Sequence, residues 1–187
     1  MVQSKTTARV VSREVIKLMG LAGAISTVAV APNSAVMFNT ILKHIDKRNA
    51  KRTVAYLKYR KLVEVKQIKG ENYYRLTNSG LAKFRRIEID DMKIKTPRRW
   101  DHKWRLVMFD IPTRKAKHRT LLLFHLRQLG FYKLQDSVWV HPFDCQAEVG
   151  VLVDYTMLKQ YVSYLVVLEG NFTGHAEKYF IGRGLLL

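Results

Sequence analysis

Val63-Glu64-Val65-Lys66-Gln67-Ile68-Lys69-Gly70-Glu71-Asn72-Tyr73-Tyr74-Arg75-Leu76-Thr77-Asn78-Ser79-Gly80 holds two alternating runs on either side of a turn. Residues 63–68 alternate apolar and polar, as a half-buried strand does. Lys69-Gly70-Glu71-Asn72 supplies turn residues, and Tyr73-Tyr74-Arg75-Leu76 alternates back, so the pair reads as a basic β-hairpin. Thr77 then suits a helix N-cap, and Leu81, Phe84 and Ile87 recur behind it at helical spacing.

Upstream, a helix is expected from near Asn49 to near Leu62. At 100° per residue, Ala50, Val54 and Leu57 form one face, while Arg48, Lys51, Arg52, Ala55 and Tyr59 point broadly the other way. A cationic face with a small residue between bulky ones suits the major groove of DNA. Most charge-rich helix faces are merely solvated, so this helix alone does not discriminate. Two further helices are expected before it. One starts at Ser12 as N-cap and carries Val15, Ile16 and Met19; the other follows Asn33 and runs through Val36, Met37, Ile41 and Leu42 to about Ile45. Residues 1–9 read as a polar leader. Three helices, a basic hairpin and a closing helix compose a winged helix–turn–helix over residues 1–87, with Arg48, Lys51, Arg52 and Tyr59 on the reading helix and Lys66 and Lys69 in the wing as the candidate DNA contacts. The run Leu76-Thr77-Asn78-Ser79-Gly80 also resembles the strand-to-helix exit of many winged-helix regulators.

The charge supports that reading. The net charge is +18, and residues 1–100 hold 22 Lys+Arg against 7 Asp+Glu, whereas residues 101–187 hold 11 against 8. A front half this basic fits a polyanion, and nucleic acid leads because Lys/Arg neutralisation of phosphate supplies most non-specific binding energy. Membrane surfaces and acidic proteins are the competing partners. Apolar content of 48% suffices for a packed core, which argues against wholesale disorder. The single Cys145 excludes an internal disulfide and a Cys-rich zinc module, and beside Asp144 it reads as a packing residue rather than a nucleophile. Leu18 to Ala31 is apolar but shorter than the roughly 20 residues a membrane span needs, and Pro32-Asn33 stops it. It reads as the end of one buried helix and a turn into the next, and the chain is expected in the cytoplasm with no membrane partner.

Residues 88–101 mix charges of both signs with a Thr-Pro step and read as a linker, with Trp100 and Trp104 packing at the junction. Beyond it, Trp104 to Ile111 reads as a buried strand. Thr113 is expected to cap a helix that is basic first (Arg114, Lys115, Lys117, Arg119) and apolar later (Leu122, Leu123, Leu126, Leu129), with Gly130 at C′. Phe131 to His141 is strand-like with a corner at Gln135-Asp136-Ser137, Phe143 to about Gln160 reads as a second helix, and Tyr161 to Glu169 as a last strand. Strand, helix, strand pair, helix, strand over residues 102–187 is the ferredoxin-like βαββαβ pattern, so the chain is α+β overall.

Phe109-Asp110-Ile111-Pro112, Leu129-Gly130-Phe131 and Gln135-Asp136-Ser137-Val138-Trp139-Val140-His141-Pro142 together resemble the central domain of PaaX-type transcriptional repressors, which also carry an N-terminal winged helix. The same domain is similar to the small CRISPR-adaptation endonuclease, the Cas-two family, whose first strand ends in a Tyr-Asp-Ile-like step; Trp139 here replaces its usual Phe. PaaX-type repressors continue into a further C-terminal domain, whereas this sequence stops at Leu187, so the expectation is a chain lacking that domain. The resemblance implies a DNA-binding regulator, a repressor in kind, that pairs as a homodimer on double-stranded DNA and has room for a small-molecule effector.

Asp110 separates two function classes. In a Cas-two-like nuclease, Asp110 from each of two subunits would hold a magnesium or manganese ion that polarises a phosphate and activates water. Hard cations usually recruit several oxygen ligands, and no Asp/Glu cluster accompanies Asp110 in sequence. The other reading is a carboxylate cap on the helix that starts near Thr113. The six His residues show no metal-ligand spacing; His118 and His125, seven apart, read as surface positions. The expectation is a regulator with no cofactor rather than an enzyme. The alternative is a divalent-metal-dependent endonuclease or CRISPR-adaptation subunit using Asp110, and a third reading is a non-specific architectural binder.

Overall fold

A computed structural model describes residues 11–20, 47–68 and 71–186. The polar leader, most of the apolar run 18–31, the helix expected after Asn33, His44 and Lys69 lie outside the described residues. The chain divides into two compact units, residues 1–88 and 89–187. Among the described residues, no helix is long and apolar enough to cross a membrane.

In the first unit, a helical run α1 (residues 11–20) buries Val15, Ile16 and Met19, as the spacing predicts. Residue 11 is already helical and Ser12 is buried, so Ser12 sits within the helix and is not its cap. Next come α2 (Lys47–Tyr59), the antiparallel hairpin β1 (Val63–Ile68) and β2 (Glu71–Leu76), and α3 (Asn78–Asp91), whose last three residues belong to the second unit. Hairpin register pairs Val63 with Leu76 and Ile68 with Glu71. The core gathers Val15, Ile16, Met19, Leu57, Val63, Leu76, Phe84 and Ile87. Leu57 and Ile87 are fully buried, each worth about 1.5–3 kcal/mol over exposure. Leu81, expected on the buried face of α3, is exposed; Gly80, Phe84 and Ile87 make that face.

One junction fixes this unit's geometry. Lys61 ends α2 in the left-handed region at φ 54°, where a non-glycine residue costs about 1–3 kcal/mol. The cost is offset by hydrogen bonds from Leu62 N to Leu57 O and from Lys61 N to Lys58 O, which satisfy the last carbonyls of the helix. Thr77 Oγ1 donates to Lys61 O at 2.6 Å and accepts from Gly80 N at 3.1 Å, while Thr77 N donates to Leu62 O at 3.0 Å. Thr77 therefore caps α3 as expected and ties it to the end of α2. A Cβ at position 80 would lie 2.0 Å from Leu62 O, which explains the glycine in that run.

The second unit is a four-stranded antiparallel sheet. Its strands are β3 (Trp104–Phe109), β4 (Tyr132–Gln135), β5 (Val138–His141) and β6 (Val162–Val167), in the order β4-β5-β3-β6. α4 (Ala116–Gln128) joins β3 to β4, and α5 (Gln146–Tyr155) joins β5 to β6, which realises the expected ferredoxin-like βαββαβ pattern. α4 closes as the sequence predicts. Gly130 has φ +85°, Gly130 N donates to Arg127 O and Phe131 N to Leu126 O, a Schellman end that only glycine enters without strain. Val107, Phe109, Leu122, Leu126, Trp139, Leu152 and Leu158 fill a core on one face of the sheet. The other face carries Trp104, Leu106 and Val140, covered by Ala176 and Phe180 of α6 (Thr173–Ile181), a helix that the sequence pattern does not announce.

Three expectations are corrected in this unit. Neither the short 3-10 turn Thr113–Lys115 nor α4 has a side-chain cap, so neither Thr113 nor Asp110 caps a helix. His125 is not a surface residue; it is 4% exposed, with Nδ1 at 3.1 Å from Gln128 Oε1. Residues 88–101 are not a free linker, because Ile89, Met92, Ile94 and Trp100 all pack into second-unit clusters.

Candidate nucleic-acid interface

α2 buries Leu57 and Thr53 and part-buries Val54, which leaves Arg52, Ala55, Tyr56, Lys58 and Tyr59 exposed. The polar face expected from the wheel is thus the solvent face, and Thr53 joins the inward side. Tyr59 is 83% exposed, so its ring lies bare on that face. Arg60 lies 5.9 Å from the ring centre of Tyr56, a cation–π contact that holds the guanidinium on the same surface. Arg48 and Lys51 belong to the first turns of α2, but their side chains, like all of Lys69, lie outside the described residues. Tyr56, Lys58 and Arg60 are additions to the sequence-predicted set. The same helical wheel carries their signal, since Tyr56 and Arg60 are four apart and flank the Arg52–Tyr59 side.

Charge compensation sorts the hairpin. Arg75 pairs with Glu64 directly across the strands, so its charge is spent within the fold. Lys66 is exposed on β1. Arg52, Lys58, Arg60 and Lys66 have no carboxylate partner among the described residues. The first unit as a whole carries 18 Lys+Arg against 5 Asp+Glu, the second 15 against 10. A surface of unpaired guanidinium and ammonium groups interleaved with exposed tyrosines can neutralise phosphates and lay aromatic rings against sugars or bases.

Asp110, the candidate metal ligand, is exposed just past β3, and only its backbone is engaged, with Asp110 N donating to Tyr161 O at 3.0 Å. Asp136 is paired with Lys133 at 2.6 Å, and Asp144 accepts from Tyr164 Oη at 3.3 Å and from Gln146 N at 3.3 Å. No group of three or more His, Cys, Asp or Glu side chains with metal-holding geometry occurs among the described residues. Cys145 is fully buried, and burial pushes its thiol up to about 12, the opposite of an activated nucleophile.

Residues 97–178 match the family described as the PaaX protein central Cas2-like domain. No curated protein matches the chain. Among solved structures, an uncharacterised protein from Mycobacterium tuberculosis is similar at a TM-score of 0.39 and 19% identity, over 89% of this chain and 66% of that one. The chain thus spans slightly less than two thirds of that protein.

Proposed function

We propose that this chain is a PaaX-type, DNA-binding transcriptional regulator that reads double-stranded DNA with its first unit and pairs as a homodimer through its second. The observation that carries the reading is the combination of two things on one chain: a match to the PaaX central Cas2-like domain at residues 97–178 and, before it, a helix–hairpin–helix unit that exposes Arg52, Lys58, Tyr59 and Arg60 on α2 and at its end and Lys66 on the hairpin, the four cations without carboxylate partners among the described residues. Taken as a winged helix, that unit would set α2 in the major groove and lay the β1–β2 hairpin along the backbone. Repression follows from occupancy of a promoter. The nuclease alternative is not favoured, because the match is to the PaaX central Cas2-like domain and Asp110 belongs to no group of three or more His, Cys, Asp or Glu that could hold a metal among the described residues.

The test is affinity for duplex DNA across a salt series. Log affinity should fall by about 0.9 per phosphate neutralised for each unit of log salt, with at least roughly four contacts per winged helix. Arg52→Ala should cost about 1–3 kcal/mol on a selected site and relax sequence choice there, whereas Lys66→Ala should weaken all sequences alike. Salt-independent binding, or an Arg52→Ala variant with unchanged sequence choice, would overturn the assignment.

A further inference from the structure

Met92-Lys93-Ile94-Lys95-Thr96-Pro97-Arg98-Arg99-Trp100 is neither helix nor strand, yet it is anchored along its length. Met92 and Ile94 pack against the second unit's main core, and Ile94 and Trp100 against the cluster under α6. Trp100 Nε1 donates to Pro142 O at 2.9 Å and to Lys103 O at 3.1 Å, which pins the far end. Thr96 precedes a proline and is held extended for that reason. With Met92 and Ile94 turned inward, the alternation of an extended chain turns Lys93 and Lys95 outward. Arg98 and Arg99 follow, and all four cations are exposed.

None of the four has a carboxylate partner among the described residues. Asp101, the next carboxylate along the chain, is already taken. Arg105 grips it through Nη1 at 2.7 Å and Nη2 at 2.5 Å, and the same guanidinium donates to Pro142 O at 2.8 Å. Four like charges within seven residues, fixed on the surface by apolar anchors, repel one another, and none forms an ion pair among the described residues. The arrangement is unfavourable alone and favourable against a polyanion. Its extended length is at most about 20 Å, a span over which duplex DNA presents about a dozen phosphates.

We infer that residues 93–99 are a phosphate-binding strap on the second unit, contacting the backbone of the duplex that the first unit reads. This rests on the reading of the chain as a duplex-DNA binder. Lys and Arg contacts to phosphate carry no base information, so the strap adds affinity and salt dependence and leaves sequence choice to the first unit.

The experiment uses the full chain with Lys93, Lys95, Arg98 and Arg99 all changed to Gln, beside wild type, on a selected duplex and on a scrambled one. The slope of log affinity against log salt should become shallower by about 2 to 4, at roughly 0.9 for each phosphate no longer neutralised. Both duplexes should weaken by the same factor. A charge-preserving control (Lys93→Arg, Lys95→Arg, Arg98→Lys, Arg99→Lys) should keep the wild-type slope, which separates loss of charge from any change in folding. A slope unchanged by the glutamine variant, with wild type still salt-dependent, overturns the strap and leaves the first-unit reading standing. Weakening of the selected duplex alone also overturns it, since that is base reading. Arg52→Ala with unchanged sequence choice, alongside a shallower slope in the glutamine variant, overturns the helix assignment and keeps the strap. Wild type without salt-dependent binding overturns both.

Discussion

Among the described residues, the first unit gathers one buried cluster and exposes cations without carboxylate partners, while the second sandwiches its sheet between two clusters and spends several of its charges internally. Lys133 takes Asp136, Arg105 takes Asp101, and Arg105 holds the Asp101 carboxyl below its ordinary range through their hydrogen bonds. In the first unit Arg75 is paired to Glu64, while Arg52, Lys58, Arg60 and Lys66 are exposed without a carboxylate partner among the described residues. The contrast teaches where each unit's sequence is constrained. In the second unit packing on both faces of the sheet fixes identity; in the first, a packed core does so too, together with a few backbone junctions and exposed cations that packing does not explain.

The sharpest way to break this comparison is to damage each core separately. Trp100, Trp104 and Trp139 all lie in the second unit, so tryptophan fluorescence reports that unit alone. Trp139 is 2% exposed, and Trp139→Ala should cost about 3–5 kcal/mol. The fluorescence midpoint should then fall by more than about 10 °C. Gly80→Ala forces a methyl group onto Leu62 O and should unfold the first unit first, seen as loss of helical circular dichroism and of DNA binding below the fluorescence transition. If Gly80→Ala lowers the fluorescence midpoint as far as Trp139→Ala does, the two cores melt as one and the contrast fails.

Acid sharpens the comparison, because only the second unit has a described histidine that is both deeply buried and strongly shifted. His141 is 3% exposed among Phe131, Phe143 and Phe180, and Nδ1 accepts from Phe143 N at 3.1 Å. Burial lowers its pKa from 6.5 to about 4. The unfolded chain takes up a proton at the higher value and the folded one does not, so stability is fully present above pH 6.5 and falls as pH drops toward 4. The loss reaches about 3 kcal/mol at most. His141→Asn keeps an acceptor for Phe143 N and should start less stable at pH 7. The variant should then lose little more between pH 6.5 and 4, as read by the fluorescence midpoint. A wild-type midpoint flat over that range would remove His141 as the acid-sensitive group.

How much of this is legible from sequence follows the same divide between local chemistry and tertiary packing. Gly130, Thr77 and the hairpin at 63–76 are readable because each is a local event: a left-handed end, a hydroxyl cap, a period-two alternation. α6 escapes notice because it spans nine residues, lacks a side-chain cap, and owes its place to Ala176 and Phe180 under Trp104. The strap passes for a linker because Lys, Arg and Pro dominate its composition, and only Met92 and Ile94 carry the alternation that anchors it. Leu81 fails for another reason: Gly80, close against Leu62 O, takes the inward position one turn before Phe84 and leaves Leu81 on the outer side. For the interface, the wheel separates Arg52 and Tyr59 from Leu57 correctly, since burial follows period 3.6. Which cations stay unpaired is not legible, because Glu64 and Arg75 meet only through hairpin register.

A smaller effect tests the junction of the first unit. Thr77→Ala removes both the cap on Gly80 N and the bond to Lys61 O, and should cost about 1–2 kcal/mol. Thr77→Ser keeps the hydroxyl and should recover most of it. Both are read by the helical transition that Gly80→Ala also moves. A Thr77→Ala variant as stable as wild type would mean that the backbone bond from Thr77 N to Leu62 O and the packed core hold α2 to α3 without the hydroxyl.

The smallest expected effect is at Asp110, the residue on which the nuclease alternative turns. Its side chain is exposed, makes no helix cap, and contributes to the fold only through Asp110 N bonded to Tyr161 O, which any residue other than proline would supply. Asp110→Asn should therefore change stability by no more than about 0.5 kcal/mol, as for an ordinary surface position, and leave both DNA affinity and its salt slope in place. A metal ligand would behave otherwise: the amide keeps the shape but removes the charge a divalent cation requires. Cleavage of DNA or RNA in magnesium or manganese should be absent from wild type and variant alike. Chelator-sensitive cleavage that vanishes in Asp110→Asn at an unchanged midpoint would turn the comparison around, making the second unit the chemical one and the first its means of holding substrate.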